Sequence, residues 1–587
     1  MFKLGIRAHT TMDPPVTNKD MAFRKLCAER FTTAIVISVG LQYLLATAVL
    51  MFVNFDLLHP MSWITDTMRL LLSLHTWLVS IPASAAFIFH GLALAKTCLL
   101  ENRYYPTVFE SWYRGLVHRS YLLLTAGTMG CLTALFFTRF LRAEYRLLVV
   151  TDVNDRLSTL NHRLLYLLVS GLFAGSYFYF SRESDSLSTQ TSERRVQGER
   201  KNFRQDLGMI LFESIRQSFV PTLVYLCFYY TLVLLFRGRI AQLFGKEVST
   251  VYGFYRTATD LRLQLYTWLV FALILAKMKL MLRLFRVFVY EPHQFIISIG
   301  SYQQQSKTSE PVLAEALDYR QIPVIQHLAA EDLCTIGKES NNSRRRLFYQ
   351  LTDPGGHPLN WRHMCDTCLK LIRDFTHELH ESIGGIDLSP SPPMVMMGGR
   401  LRPTTSTDID RLLRQQYNQN FGIRSLSVPV LTNTRGTGPV ANEPICDFRI
   451  EPVTLISILE RFQIYQYLFV EPKTAKSCHL LSVKSELIVK VTEGLSTLAC
   501  HSLQEDQYGV VQDDLPNIVH VLLELKKVIE KISAIKLDVK KNRRNDNTIK
   551  GVVTNSLSLI GETFAPYLND LVFEPNDLQA LRSIDRD

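Results

Sequence analysis

Long apolar runs alternate with polar segments over the first half of the chain, and this pattern ends near residue 297. A helix that crosses the hydrocarbon core of a bilayer needs roughly 20 mostly apolar residues. Stretches of suitable length and composition occur at residues 31–53, 70–95, 121–137, 164–180, 218–236 and 263–282. The pattern therefore predicts a polytopic membrane domain over residues 31–282, with about six transmembrane helices.

The predicted spans differ in their polar content. The first carries no charged residue, whereas His75, Pro82 and His90 interrupt the second. No Asp or Glu occurs in any of the six, although ion-coupled carriers usually hold charged groups at mid-bilayer depth. A transporter is therefore disfavoured, and we favour a helix-packing role for His75 and His90 over a relay or ligand role.

The last predicted span runs without a break into a basic stretch. Between its leucines, phenylalanines and valines the chain acquires Lys277, Lys279, Arg283 and Arg286. Long basic side chains at the end of a span can reach the lipid headgroups. We predict that these four residues contact the membrane surface, and that residues 283–300 form a basic amphipathic juxtamembrane segment.

A second amphipathic stretch, FRQDLGMILFESIRQ at residues 203–217, precedes the fifth predicted span. Its apolar residues, including Phe203, Ile210 and Leu211, recur at helical spacing beside charged ones. Two interpretations remain open. The stretch is either an interfacial helix whose apolar face contacts the membrane surface, or a helical extension of the fifth span.

The chain beyond residue 300 has no stretch that could cross a membrane, and its patterning is mainly helical. Two helical regions, 301–383 and 445–587, flank a linker at 384–444 whose Ser, Pro and Gly content is typical of disorder. In the second region, apolar residues at steps of three and four indicate the seam of a packed helix pair. The seam is short, which favours bundle packing within the chain over a free coiled coil; its residues are Leu515, Ile518, Leu522, Leu525, Ile529 and Ile532.

Two features of the linker bear on regulation and on binding. Ser389 and Ser391 each precede a proline and match the minimal pattern for proline-directed kinases, whose phosphates could release a docked partner. Residues 407–418 begin with a helix-capping signature. This short stretch is either a docking peptide or a stray helical turn, and its apolar face consists of Ile409, Leu412, Leu413 and Tyr417.

Composition and charge agree with a membrane protein. The chain has 587 residues, a mean hydropathy of +0.07 and a net charge of +10, with much of the basic excess beside apolar segments. That placement favours an anionic membrane surface over nucleic acid as the partner of the positive charge. Lys and Arg are enriched in residues 1–30 and in the second and fourth loops, so both termini are predicted to face the cytoplasm.

Motifs for chemistry are weak, and we expect no catalytic, cofactor or metal site. Cys365 and Cys368 have metal-like spacing with His363 nearby, but no second ligand pair follows at a suitable distance. His377 and His380 resemble a metalloprotease helix only loosely. A structural anchor is therefore favoured over a membrane-bound enzyme, and the alternative is a polytopic channel or carrier of the endoplasmic reticulum or nuclear envelope.

The layout, with the first span FTTAIVISVGLQYLL and the junction AKMKLMLRLFRVFVYEPHQFII, resembles the transmembrane nucleoporins of the nuclear-division-cycle (Ndc) family. The resemblance implies a protein without catalytic residues that anchors the nuclear pore complex at the pore membrane of the nuclear envelope. It also implies that the C-terminal domain recruits soluble nucleoporins and that the protein supports pore assembly and insertion. The implied partners are an Aladin-like Trp-Asp-repeat protein, membrane-binding inner-ring nucleoporins and other pore membrane proteins.

Overall fold

The computed structural model describes residues 18–53, 64–65, 67–69, 72–99, 104–141, 145, 149–151, 158–181, 203–244, 254–297, 311–339, 343–351, 356–384, 469, 475–534 and 540–584. These residues belong to one compact unit. The sites predicted in the linker lie outside the described residues: Ser389, Ser391, Ile409, Leu412, Leu413 and Tyr417.

The N-terminal half forms a bundle of helices, here called the bundle. Its helices are α1 (Asn18–Val53), α2 (Leu74–Leu99), α3 (Val108–Thr138), α4 (His162–Phe180), α5 (Phe203–Phe244), the short α6 (Phe254–Thr259) and α7 (Leu261–Val289). An antiparallel hairpin of β1 (Val149–Thr151) and β2 (Ser158–Leu160) connects α3 to α4. Each predicted span falls on a helix, whereas the hairpin was not predicted.

Four helices within the described residues are long and apolar enough to cross a membrane. They are Asp20–Met51, Leu74–Lys96, Ser120–Thr138 and His162–Phe180. These helices match the first four predicted spans and confirm an all-α polytopic membrane protein. The fifth and sixth predicted spans are helical as parts of α5 and α7, and their passage through the bilayer stays a prediction.

Helix α7 lies at the centre of the bundle. It packs against α1, α3, α4 and α5, and its residues from Val270 to Met278 are buried without interruption. A helix that is apolar on all sides is stable when it is covered on all sides. The last helix of the bundle is therefore its axis, and α1, α3, α4 and α5 pack around it.

Helices α3 and α4 touch through their backbones. A Cβ atom added at Gly130 would lie 2.1 Å from the carbonyl oxygen of Gly171, and one added at Gly175 would lie 2.2 Å from that of Ala126. Small residues allow membrane helices to approach this closely, and dispersion contacts then hold the pair together.

Residues 301–587 are here called the tail, and the described residues of the tail form a second set of helices. In chain order these are α8 (Leu313–Asp318), α9 (Pro323–Lys338), α10 (Ser343–Tyr349), α11 (Leu359–Gly384), α12 (Ala475–Glu505), α13 (Leu515–Ala534), α14 (Lys540–Phe564), a 3₁₀ turn (Ala565–Tyr567) and α15 (Pro575–Ile584). Helix α12 packs against α9, α11 and α14. The six seam residues of α13 are all buried, and the helix packs against α11 and α14, which confirms bundle packing within the chain.

Candidate functional site

The end of α7 is held by the first helix of the bundle. Arg30 on α1 donates hydrogen bonds to the carbonyl oxygens of Val289, at 2.9 Å, and Glu291, at 2.5 Å. The last carbonyls of a helix have no partner within the helix, and a cation near them is favourable. One turn earlier, the ring of Phe31 packs edge-on against Phe285 with centroids 5.4 Å apart. Helix α1 therefore fixes the point where α7 ends.

The segment that follows α7 is bonded to the tail through its backbone. The N–H of Phe295 donates to Oδ2 of Asp332 at 2.9 Å, and the carbonyl of Phe295 accepts from Arg344 at 2.6 Å. Arg344 also donates to both carboxylate oxygens of Asp332, each at 2.8 Å. Asp332 is buried, so this charged pair is largely shielded from water. Both backbone groups of Phe295 are thus used by tail side chains.

Ile296, the next residue, continues the attachment through a parallel β-bridge to the residues before α8. Ile296 donates its N–H to the carbonyl of Pro311 at 3.2 Å, and its own carbonyl accepts from the N–H of Leu313 at 2.8 Å. Leu313 is the first residue of α8 and is fully buried. The chain therefore enters the tail through a hydrogen-bonded segment, residues 291–297, here called the junction.

Three further ring contacts join the bundle and the tail away from the junction. At the start of α1, the ring of Phe23 lies 4.7 Å from that of Tyr319, which follows α8. In the connection between α2 and α3, Tyr104 lies 5.4 Å from His479, and Phe109 at the start of α3 lies 4.8 Å from Phe469. The buried residues of the bundle and the tail form one continuous apolar core.

Two of the four basic residues predicted to contact the membrane surface have protein partners on α5. Lys279 donates to Oε1 of Gln217 at 2.6 Å, and Arg283 pairs with Asp206 at 2.6 Å. Lys277 lies on the other side of α7 and is only 3% exposed, and Arg286 is half-buried in the last turn. Contact of these four residues with lipid stays a prediction.

The amphipathic stretch at residues 203–217 is the beginning of α5, with no break before the fifth predicted span. Phe203 is its first residue, and the side chains of Ile210 and Leu211 are half-buried. Among the described side chains of this stretch, the most exposed apolar ones are Met209, at 60% exposure, and Phe212, at 70%. The apolar spacing located the helix but not the face that its neighbours cover, and any contact of Phe203, Ile210 or Leu211 with lipid stays a prediction.

The thiols with metal-like spacing belong to the core of the tail. Cys365 and Cys368 are both buried in α11, whereas His363 is exposed on another face of the helix. Burial raises the pKa of Cys368 to about 12 and raises the pKa of Cys365 as well. Thiols held in the neutral form by burial are poor nucleophiles and poor metal ligands.

Comparison with known proteins identifies the family. A family model described as "Nucleoporin protein Ndc1-Nup" matches residues 25–582. Nucleoporin Ndc1 of Drosophila melanogaster is 32% identical over 581 residues, which cover 96% of this chain and 98% of that protein. Nucleoporin NDC1 of Xenopus laevis is 25% identical, covering 81% and 84%, and that of Homo sapiens is 22% identical, covering 88% of each chain.

These matches confirm the resemblance seen in the sequence and agree with the four membrane-crossing helices. They assign the chain to the membrane of the nuclear pore, where it contacts other nucleoporins and lipid, and they confirm that it is not an enzyme. The chain belongs to the Ndc1 family of nucleoporins.

Proposed function

We propose that this chain anchors the nuclear pore complex in the pore membrane and recruits soluble nucleoporins through its tail, supporting pore assembly and insertion. In this proposal six spans hold the protein in the bilayer, and both termini face the cytoplasm and the pore. The tail binds an Aladin-like Trp-Asp-repeat protein and membrane-binding inner-ring nucleoporins, and the protein contacts other pore membrane proteins.

The observation that carries the proposal is the attachment of the tail to the bundle at the junction. Arg30 holds the end of α7, and Asp332 and Arg344 hold the backbone of Phe295. An anchor has to transmit position and load from bound partners to the membrane. Hydrogen-bonded and packed contacts do this, whereas a flexible linker between two domains would absorb the displacement.

The first test is the localisation of the chain tagged at its endogenous level. We expect a punctate nuclear rim, because an anchor of the pore complex is concentrated at pores. Diffuse reticular staining without a punctate rim would overturn the anchor role. Protease protection of tags at the two ends would test the orientation separately, with both tags accessible from the cytoplasmic side.

The second test separates anchoring from recruitment. We expect removal of residues 301–587 to leave membrane insertion intact, because the four helices that are long and apolar enough to cross a membrane, among the described residues, precede this region. We also expect recruitment of soluble nucleoporins to be lost. Recruitment that persists after the deletion would assign the partner site to the loops or spans instead.

A further inference from the structure

Three potential metal ligands meet where the last helix of the chain begins. His520 lies on α13, and Glu574 and Asp577 lie at the start of α15. One ligand atom from each of the three lies within 4.8 Å of the others, and Nδ1 of His520 is 2.7 Å from Oδ2 of Asp577. The cluster belongs to neither the junction nor the contacts between the bundle and the tail.

The charges around His520 do not balance. Its imidazole faces Glu524 on its own helix as well as Glu574 and Asp577 on α15. Within the part of the chain that the structure describes, no Lys or Arg forms an ion pair with these three carboxylates. Asp577 is only 5% exposed, and a buried carboxylate requires a compensating charge. A protonated imidazole can compensate the buried Asp577, and the exposed Glu524 and Glu574 add two further negative charges around the same ring, an excess that favours binding of a divalent cation.

We propose that His520, Glu574 and Asp577 bind a Zn²⁺ ion that connects α13 to α15. One imidazole nitrogen and two carboxylate oxygens form a ligand set that zinc accepts, with water in the fourth position. Calcium and magnesium prefer all-oxygen sites, so the imidazole favours a transition metal. Ligand atoms around tetrahedral zinc lie about 3.3 Å apart. Binding therefore requires Nδ1 of His520 and Oδ2 of Asp577, which are 2.7 Å apart, to separate slightly, and the exposed Glu574 side chain to rotate towards them.

Glu524 is placed to orient the ring of His520 for this role. Its Oε1 lies 3.5 Å from Nε2, on the opposite side of the ring from Asp577. Histidine ligands of zinc typically donate their second ring N–H to a carboxylate, which fixes the ring orientation and increases ligand basicity. With Glu524 accepting from Nε2, Nδ1 is directed at the metal.

A zinc ion here would fasten the last helix to the tail. Helix α15 has ten residues and packs through the buried Leu581 and Ile584. A helix this short depends on tertiary contacts for its stability. A metal bridge at its first turn would therefore determine whether the surface formed by α13 and α15 is ordered.

The test uses the purified full-length chain in detergent, treated with a chelator and then titrated with Zn²⁺. We expect zinc to slow amide hydrogen exchange in residues 575–584. Because Glu574 is exposed, Glu574→Gln should leave the fold intact and weaken the zinc effect about tenfold or more, as loss of even an outer partner does. Asp577→Asn should weaken it similarly. The control is His377→Gln, which removes an exposed His–Glu pair on α11 and should change nothing.

Three outcomes would overturn the zinc site. The first is an absence of zinc-dependent protection in residues 575–584 of the wild-type chain. The second is equal protection in the wild type and in Glu574→Gln. The third is equal protection by Mg²⁺ or Ca²⁺ at the same concentration, which would show screening of the carboxylates rather than coordination.

Discussion

Lys277 and Lys279 are two positions apart on α7 and have opposite environments. Lys279 reaches α5 and donates to Gln217, whereas Lys277 is buried in the bundle. Among the described residues, Lys277 forms no hydrogen bond or ion pair. The two lysines look equivalent in the sequence, because both lie at the end of an apolar run. Composition alone does not show which face of α7 packs against other helices.

Replacing Lys277 with methionine should stabilise the protein. The change keeps the length of the side chain and removes an ionisable group that is buried inside the bundle, where an unpaired charge is costly. We expect a higher midpoint of thermal unfolding for the full chain in detergent. The matched control, Lys279→Met, loses its bond to Gln217 and should not raise the midpoint. Equal destabilisation by both changes would contradict the burial argument.

Glu486 on α12 makes the stability of the tail depend on pH. Burial raises the pKa of its carboxyl from 4.5 to about 7, against the opposing charge of Lys490. Its Oε2 is buried and has no hydrogen-bond partner among the described groups. The folded chain therefore binds this proton more tightly than the unfolded chain does. The stabilising contribution is fully present below pH 4.5 and is lost as the pH rises to about 7.

Glu486→Gln should remove this pH dependence. At pH 8 the variant should be more stable than the wild type by on the order of 1–3 kcal/mol, and at pH 4.5 the two should be similar. Lys490 retains its partner Glu331 in the variant. Unfolding midpoints of the full chain across this pH range provide the measurement. Glu378→Gln, which removes the ion pair with Lys484, serves as the control and should give no gain at pH 8.

At the scale of elements, the α3–α4 crossing provides a sharp test on a single helix. Gly130→Ala places a methyl group 2.1 Å from the carbonyl oxygen of Gly171, so the two helices must separate. Gly127→Ala, three residues earlier, meets nothing closer than 3.8 Å. We expect the first change to destabilise the bundle by about 1–3 kcal/mol and the second to be tolerated. Equal unfolding midpoints for the two variants in detergent would mean that the crossing does not depend on close backbone contact.

Hydropathy located the helices of the bundle but not their surroundings. Helix α5 has 42 residues, about 63 Å at 1.5 Å per residue, and is far longer than the hydrocarbon core of about 30 Å. The prediction covered only its apolar part and left the preceding stretch ambiguous. For α7, the hydropathy pattern cannot distinguish a helix surrounded by lipid from a helix surrounded by protein, because both are apolar on all sides. The pairing of Arg283 with Asp206, 77 residues away, has no local signal.

At the scale of the whole molecule, the sequence marked the boundary between membrane and tail but not how the two are joined. The change in composition after residue 291 predicts that division, which stays a prediction, and α7 ends at Val289 just before it. The bonds from Arg30 to Val289 and from Asp332 to Phe295 span 259 and 37 residues. The His520–Asp577 pair likewise spans 57 residues. Periodicity reports only neighbours within a helix or strand, so contacts of this kind appear only when the elements are assembled.

Loss of the charged pair at the junction should loosen the junction without unfolding the bundle or the tail. In the double variant Asp332→Asn, Arg344→Gln, the two side chains that bind the backbone groups of Phe295 lose their charge. Removing only one partner of a buried ion pair lowers the free energy of unfolding by about 3–5 kcal/mol. Because both partners are neutralised here and no buried charge is left unpaired, we expect a smaller loss of stability. The loss should appear as faster amide hydrogen exchange at residues 295–297 and 312–313, with exchange in α3 and α4 unchanged. The control Arg320→Gln removes an exposed ion pair with Asp374 in the same tail and should leave the junction protected.

In cells, the double variant should still reach the nuclear envelope but bind soluble nucleoporins in a less fixed position. Unchanged exchange at residues 295–297 would mean that the contacts of Phe23 and Phe109 alone hold the tail, and that the junction is not what transmits load.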